Sequence, residues 1–231
     1  MCGRFTLTVD KNQLQEAMPW LETPEEMQPR YNIAPTQPVA VVPNDGKNRL
    51  DFFTWGLIPS WAKDPQIGNR LINARAETLA EKPAFRSAFR RRRCLILSDG
   101  FYEWRPVTGS KAKTPMYIRL KSGDPFAFAG LWEDWHSPDG SNILSCTIIT
   151  TPPNPLVREI HNRMPAILPK EAYPLWLSPE EEDPRELSKL LHPYQEQEMV
   201  AYPVSKMVNS PANESPVCIL PEQPASGTTV A

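Results

Sequence analysis

Short apolar runs recur along the chain at residues 39–42, 50–55, 94–97, 116–120, 126–131 and 143–149. Each is rich in aromatic or β-branched residues and is bounded by Pro, Gly or Asp, which is the pattern of short strands. Helical patterns are fewer. Thr23-Pro-Glu-Glu26 and Ser178-Pro-Glu-Glu181 each place a capping hydroxyl, a proline at the first helical position and a glutamate three residues after the cap. The second pattern predicts a helix to about residue 191, with Leu187, Leu190 and Leu191 as its apolar stripe. Asp10 is placed to cap a further short helix through Leu14 and Met18. No repeat or domain boundary interrupts the pattern. The expected architecture is one α+β domain over residues 1–220, with a mixed or antiparallel, distorted barrel-like sheet and short flanking helices. Residues 221–231 are small and polar, and a disordered tail is expected there.

Composition narrows this picture. The 27 prolines are spread along the 231 residues, so they punctuate short elements and exclude long helices. Four scattered cysteines without a CxxC pair, and three histidines, give no zinc-site pattern, so no metal is expected. No apolar stretch reaches the ~18 residues of a membrane helix, and the N-terminus has no basic-then-apolar signal pattern. A reduced setting follows, cytoplasmic and nucleoid-associated in a bacterium or nuclear in a eukaryote, in which Cys94 and Cys146 are buried hydrophobes. The net charge of −2 gives no overall pull on nucleic acid. Charge is nevertheless segregated: residues 70–93 carry a local excess of +6, and residues 180–198 a local −5.

The chain starts Met1-Cys2-Gly3-Arg4. With Met1 removed, Cys2 would carry a thiol and a free amine on adjacent carbons, and an α-amine titrates near ~8, so much of it is nucleophilic at neutral pH. Such a 1,2-aminothiol can transfer acyl groups, or condense with an aldehyde to an imine that the thiol closes into a thiazolidine. An idle chain terminus is the third alternative. Glu103 lies between aromatics in Asp99-Gly-Phe-Tyr-Glu-Trp104, where desolvation suits a carboxyl to acid/base work, or where a nearby arginine pairs with it. His161 and Arg163 end a helical turn before Pro165 and offer a proton shuttle and a phosphate ligand. The basic strip with Trp55, Trp61 and Trp104 has the parts of a single-strand channel, cations for phosphates and flat faces for bases. Core packing is the other reading of those tryptophans, and a solvated turn that of the 90–93 arginine run.

Six motifs occur in order: Met1-Cys-Gly-Arg-Phe5, Tyr31-Asn-Ile-Ala-Pro-Thr36, Trp55-Gly-Leu-Ile-Pro-Ser-Trp61, Asn73-Ala-Arg-Ala-Glu-Thr78, Asp99-Gly-Phe-Tyr-Glu-Trp104 and His161-Asn-Arg-Met-Pro165. Together they resemble the SOS response-associated peptidase (SRAP) family, from Cys2 to about Pro221. The resemblance implies a protein that links covalently to abasic sites in single-stranded DNA, near replication-fork proteins, as a monomer and without a cofactor. Mature Cys2 would form a thiazolidine with the open-chain sugar aldehyde. Asn73 would position sugar and N-terminus, Glu103 would act as acid/base at the amine, and His161 would protonate sugar oxygens. Arg75 and Arg163 would grip phosphates. The residues expected to touch DNA are thus Arg4, Trp55, Trp61, Arg75, Arg86, Arg90 and Arg163. Autoproteolytic exposure of Cys2 and weak lyase activity are also implied. The chain departs from the family's usual pattern at Leu97-Ser98 and at Asn162, neither of which is an expected catalytic side chain. Two rival readings remain: an N-terminal-nucleophile amidohydrolase of glutaminase type, and a non-catalytic single-strand binding module.

Overall fold

In a computed structural model, residues 2–137 and 139–222 are described. The residues expected to form a tail lie outside this range from residue 223 onward; Pro221 bridges Val204. In chain order the strands are β1 Phe5–Leu7, β2 Arg30–Ile33, β3 Pro38–Pro43, β4 Asp51–Trp55, β5 Asn73–Arg75, β6 Arg93–Ser98 and β7 Gly100–Pro106. They continue with β8 Lys113–Leu120, β9 Phe126–His136, β10 Asn142–Thr151, β11 Met164–Pro165, β12 Ile167–Leu168 and β13 Met199–Pro203. The helices are α1 Lys11–Ala17, α2 Arg86–Arg91, α3 Pro155–Arg158, α4 Tyr173–Leu177 and α5 Pro184–Ser188. All six strands predicted from the hydrophobic pattern form.

Five of those strands close into a ring. β3 pairs antiparallel with β4, β4 parallel with β10, β10 antiparallel with β9, β9 with β6, and β6 back with β3. Closure leaves the ring no open edge, and the fully buried 94–97 run, whose side chains alternate between the two faces, shows the β6 wall covered on both sides. The expected barrel is therefore present. The β9–β10 pairing stops at Ile148↔Gly130. Beyond it the strands part, and residues 164–168 fill the gap: β11 pairs with β10, β12 with β9, and Ala166 bonds both sides. On the other edge of β10, β5 continues where β4 leaves off, with Ile148↔Asn73 and Thr150↔Arg75. Gly130 allows the strands to crowd here, because a Cβ would meet Ile96 Cδ1 at 2.7 Å and Cys94 Sγ at 2.9 Å.

A second, antiparallel sheet runs β13-β8-β7-β1-β2. Phe5 of β1 joins it to the barrel, with ring centroids 5.1 Å from Trp55 and 5.7 Å from Phe128, both edge-on. Asp99, at the turn into β7, accepts from Thr6 and Thr8 hydroxyls and from the Thr8 and Val9 amides, which fixes β1 against β7.

Asp10 caps α1 as predicted, with a reciprocal capping box to Gln13. The helix expected after Thr23 does not form. Only five residues separate Thr23 from Pro29, too few for a nucleus, and Glu22 instead bonds the backbone of Asn48 and Leu50. The helix expected from Ser178 starts later. Ser178 ends α4, and Pro184 keeps Asp183 extended, so Asp183 is the cap and only α5 follows, with Leu187 fully buried as expected. Among the described residues no helix is long and apolar enough to cross a membrane.

Arg93, part of the basic run, is fully buried and serves the fold. Its guanidinium donates to Phe89 O and Arg90 O at the end of α2, and to Trp176 O and Ser178 O at the end of α4. Burial pushes it down to about 10, against the charges of Glu181 and Glu182. It satisfies carbonyls that two short helices leave open. Arg93→Ala is expected to cost about 3 kcal/mol or more in urea denaturation, because several buried acceptors lose their donor together. Arg93→Lys is expected to recover little of this, since one ammonium cannot reproduce a planar fork.

Candidate active site

Cys2 is fully buried, its Sγ 3.8 Å from Arg4 O, and its carbonyl accepts a 2.7 Å hydrogen bond from Asn73 Nδ2. β5 delivers Asn73, so the pairing of β5 with β10 sets where the start of the chain is held. Asn73 Oδ1 is buried and has no hydrogen-bond partner among the described residues. β1 runs antiparallel to β7, with Phe5↔Phe101 and a bond from Tyr102 N to Arg4 O, which brings the first residues alongside Glu103. Glu103 is 3% exposed, and its Oε1 lies 4.0 Å from His161 Nδ1. His161 follows α3, whose cap Asn154 accepts from Val157 N; His161 N then bonds Val157 O, and the chain continues into β11. Three separate origins, β1–β7, β5 and the β11 segment, thus place Cys2, Asn73, Glu103 and His161 together.

Burial dominates the electrostatics. It pushes the Cys2 thiol up, and the Glu103 carboxylate beside it adds to the effect. It raises the Glu103 carboxyl as well, while the charge of Lys113 opposes this. It lowers His161, so the imidazole is neutral at pH 7. All three groups are moved towards their uncharged forms.

Arg163 differs from the expectation of an available phosphate ligand. Its guanidinium makes a bidentate pair with Glu77, at 2.6 Å and 3.0 Å, and Nη2 also donates to Thr150 O at 2.5 Å. Two further DNA assignments are corrected. Trp55 is fully buried, its Nε1 donating to Ile72 O, so it is a core residue and offers no face to a base. Arg4 is 9% exposed and donates to Asn32 Oδ1 at 2.7 Å and Val208 O at 2.6 Å, with Trp104 5.8 Å away under its guanidinium. It locks the segment around residue 208 to β2 in place of reaching a phosphate. Trp104 is half-buried there, its Nε1 bonded to Asn209 Oδ1.

The remaining expected DNA contacts are accessible. Trp61 is 58% exposed, beside a cavity of about 370 Å³ lined by Lys63, Gln66, Asn69 and Arg70. Arg75, Arg86 and Arg90 are exposed, Arg75 at the end of β5 and the other two on α2, which packs on β6 and β9. The acidic 180–198 segment partly answers this basic strip, through Arg91 and Glu182 at 3.9 Å. Sequence reasoning missed two site neighbours. Lys113 acts on Glu103 and His161 by its charge, and the signal was the β7–β8 hairpin, whose register sets Lys113 opposite Pro106. Glu77 stood inside a quoted motif without a role. Among the described residues, no group of three His, Cys, Asp or Glu side chains is placed to hold a metal ion.

Residues 1–211 match the family described as SOS response associated peptidase (SRAP). The chain is 51% identical over 222 residues to "Abasic site processing protein YoqW" of Bacillus subtilis, covering 95% of this chain and 99% of that one. It is 31% identical over 270 residues to "Abasic site processing protein HMCES" of Rattus norvegicus, covering 96% of this chain and 76% of that one. A crystal structure of a protein from Bacteroides thetaiotaomicron, 27% identical, superposes with a TM-score of 0.85 over 96% of this chain and 100% of that one. Fold, motifs and relatives agree, and the chain belongs to the SRAP family.

Proposed function

We propose that this protein captures abasic sites in single-stranded DNA covalently, through Cys2 as its mature N-terminal residue. The observation that carries this reading is the convergence of Cys2, Asn73, Glu103 and His161, four residues far apart in sequence, around one buried point. Relatives named for abasic-site processing support the substrate.

The chemistry starts when hydrolysis of the Met1–Cys2 bond frees the α-amine. The amine adds to the C1′ aldehyde of the ring-opened deoxyribose, and the carbinolamine loses water to give an imine. Sγ then attacks the imine carbon, its proton passes to nitrogen, and a thiazolidine closes. One water is lost overall, and no organic cofactor is required because the aminothiol supplies both nucleophiles. Burial keeps the thiol neutral, which favours the amine as first nucleophile and disfavours the thiolate attack that an amidohydrolase needs. Glu103 accepts the amine's proton and returns it to the departing hydroxyl. His161 protonates the sugar oxygen during ring opening, and Asn73 holds the Cys2 carbonyl so that the amine is aimed. Where the thiol fails to close, loss of a C2′ proton from the imine expels the 3′ phosphate, giving weak lyase activity.

An abasic nucleotide has no base to stack, so the strand bends there cheaply and its sugar can reach a buried pocket. Trp61, Arg75, Arg86 and Arg90 would then hold the flanking strand by stacking and phosphate contacts, with no base code. Acting on DNA, the protein works in the nucleoid of a bacterium or the nucleus of a eukaryote, beside replication-fork proteins.

On a denaturing gel, a single-stranded oligonucleotide with one abasic site is expected to give a slow-migrating band with mature protein. Cys2→Ala, or protein retaining Met1, gives none, and Asn73→Ala slows the band's appearance about tenfold, the worth of one well-placed hydrogen bond. Release of ammonia from glutamine without a band would establish the amidohydrolase; reversible binding that Cys2→Ala leaves unchanged would establish the binding module. The crosslinking rate should also fall as pH drops through the Glu103 pKa. Because burial raises that pKa, the loss begins above the ordinary glutamate value of about 4.3. Glu103→Gln is expected to remove this acid limb from the rate–pH profile and to slow the reaction by about 10²-fold or more.

A further inference from the structure

His161 is held through the residue two positions after it. Arg163 N donates to His161 Nδ1 at 3.1 Å, while Arg163 O lies 3.3 Å from the same nitrogen. The amide can only donate to Nδ1 and the carbonyl can only accept from it, so the two contacts compete; the shorter one, from the amide, favours Nδ1 as the acceptor with the ring proton on Nε2. That tautomer depends on where the Arg163 backbone is. The Arg163 side chain is 14% exposed and is anchored at its far end by four bonds: two to the Glu77 carboxylate and two to Thr150 on β10, at its carbonyl and its hydroxyl. Thr150 is part of the β10 ladder, paired with β5 on one edge and β11 on the other, so it is a fixed post. Glu77, in the turn that follows β5, is the more exposed partner, at 47%.

An isolated surface ion pair contributes little. This pair differs in being bidentate, in having a mostly buried arginine, and in sharing that arginine with a strand carbonyl. The Arg163 hydrogen bond holds the Glu77 carboxyl below its usual range, as expected for a formed pair. We propose that Glu77 is a positioning residue of the site: by clamping the Arg163 guanidinium against Thr150 it fixes the 161–163 main chain, and thereby holds His161 with its proton on Nε2. The inference rests on the reading that His161 exchanges protons with the sugar. It assigns proton exchange with the substrate to Nε2, since Nδ1 is engaged by the protein. It also separates Glu77 from a DNA contact: its carboxylate sits beside Arg75 and Arg163, so removing it increases the positive charge facing DNA.

Long-range ¹H–¹⁵N spectra of the full chain test this, because a protonated and a bare imidazole nitrogen resonate far apart. At pH 8 the wild type is expected to show a bare Nδ1 and a protonated Nε2 at His161. In Glu77→Ala the two shifts should move towards each other as the tautomers interconvert, and Glu77→Asp, which keeps a carboxylate, should return part of the way. With abasic single-stranded DNA, Glu77→Ala should bind no more weakly than wild type yet crosslink about tenfold more slowly at saturation. A proton on Nδ1 in the wild type, or unchanged shifts in Glu77→Ala, overturns the clamp whatever the rate. Shifts that change while crosslinking does not would uphold the clamp and remove His161 from the chemistry of the proposed reaction.

Discussion

Strands β9 and β10 pair as far as Gly130 and Ile148 and then part, and the segment filling the gap is the one that carries His161 to the site. A closed five-stranded ring would otherwise be filled by its own side chains and would present nothing reactive. At the parting, β10 accepts β5 on one edge and β11 on the other, so Asn73 and the 161–165 segment are held within a few residues of one another on a single strand. The second sheet then brings Cys2 and Glu103 over the same point, anchored by the Phe5 ring between Trp55 and Phe128. A small residue at 130 is part of this arrangement, because a side chain there would collide with Ile96 and Cys94 and disturb the ladder where it ends.

Burial shapes the chemistry of the site as much as its geometry does. Thiol and carboxyl are raised and imidazole is lowered, each by loss of water, which moves all three towards their neutral forms. Such groups transfer protons over short distances without separating charge in a low dielectric. Permanent charge is kept to the margin. Lys113 acts from outside, and Arg163 is neutralised by Glu77. The same logic explains why Arg4 and Arg93 became structural: each is buried and matched to carbonyl or amide oxygens.

The strands with dense aliphatic or aromatic runs were legible from pattern alone, because burial on a barrel wall demands those residue types. The short strands β1, β2, β5 and β11 were not, since two to four residues carry no periodicity; β5 and β11 are placed by the barrel's parting, and β1 and β2 by the second sheet. Thr23 and Ser178 show how a correct capping pattern fails when a neighbouring proline or a competing backbone pairing intervenes. Trp55 and Trp61 open and close one motif, yet one is core and the other exposed, a difference that only the β4 register decides. For the site, each residue's chemistry could be read singly, but its company came through the family resemblance. Spacing gives no hint that positions 2, 73, 103 and 161 meet. The Glu77–Arg163 pair lay across 86 residues and was invisible for the same reason.

The central claim is that the amine and thiol of mature Cys2 both bond to the sugar's aldehyde carbon. It is tested most directly by ¹³C NMR of the covalent complex formed with an abasic site labelled at C1′. The account predicts a tetrahedral carbon bonded to one nitrogen and one sulfur, with an intact mass equal to protein plus DNA less one water. A carbon that remains an aldehyde or a trigonal imine, or one bonded to sulfur without nitrogen, would contradict it.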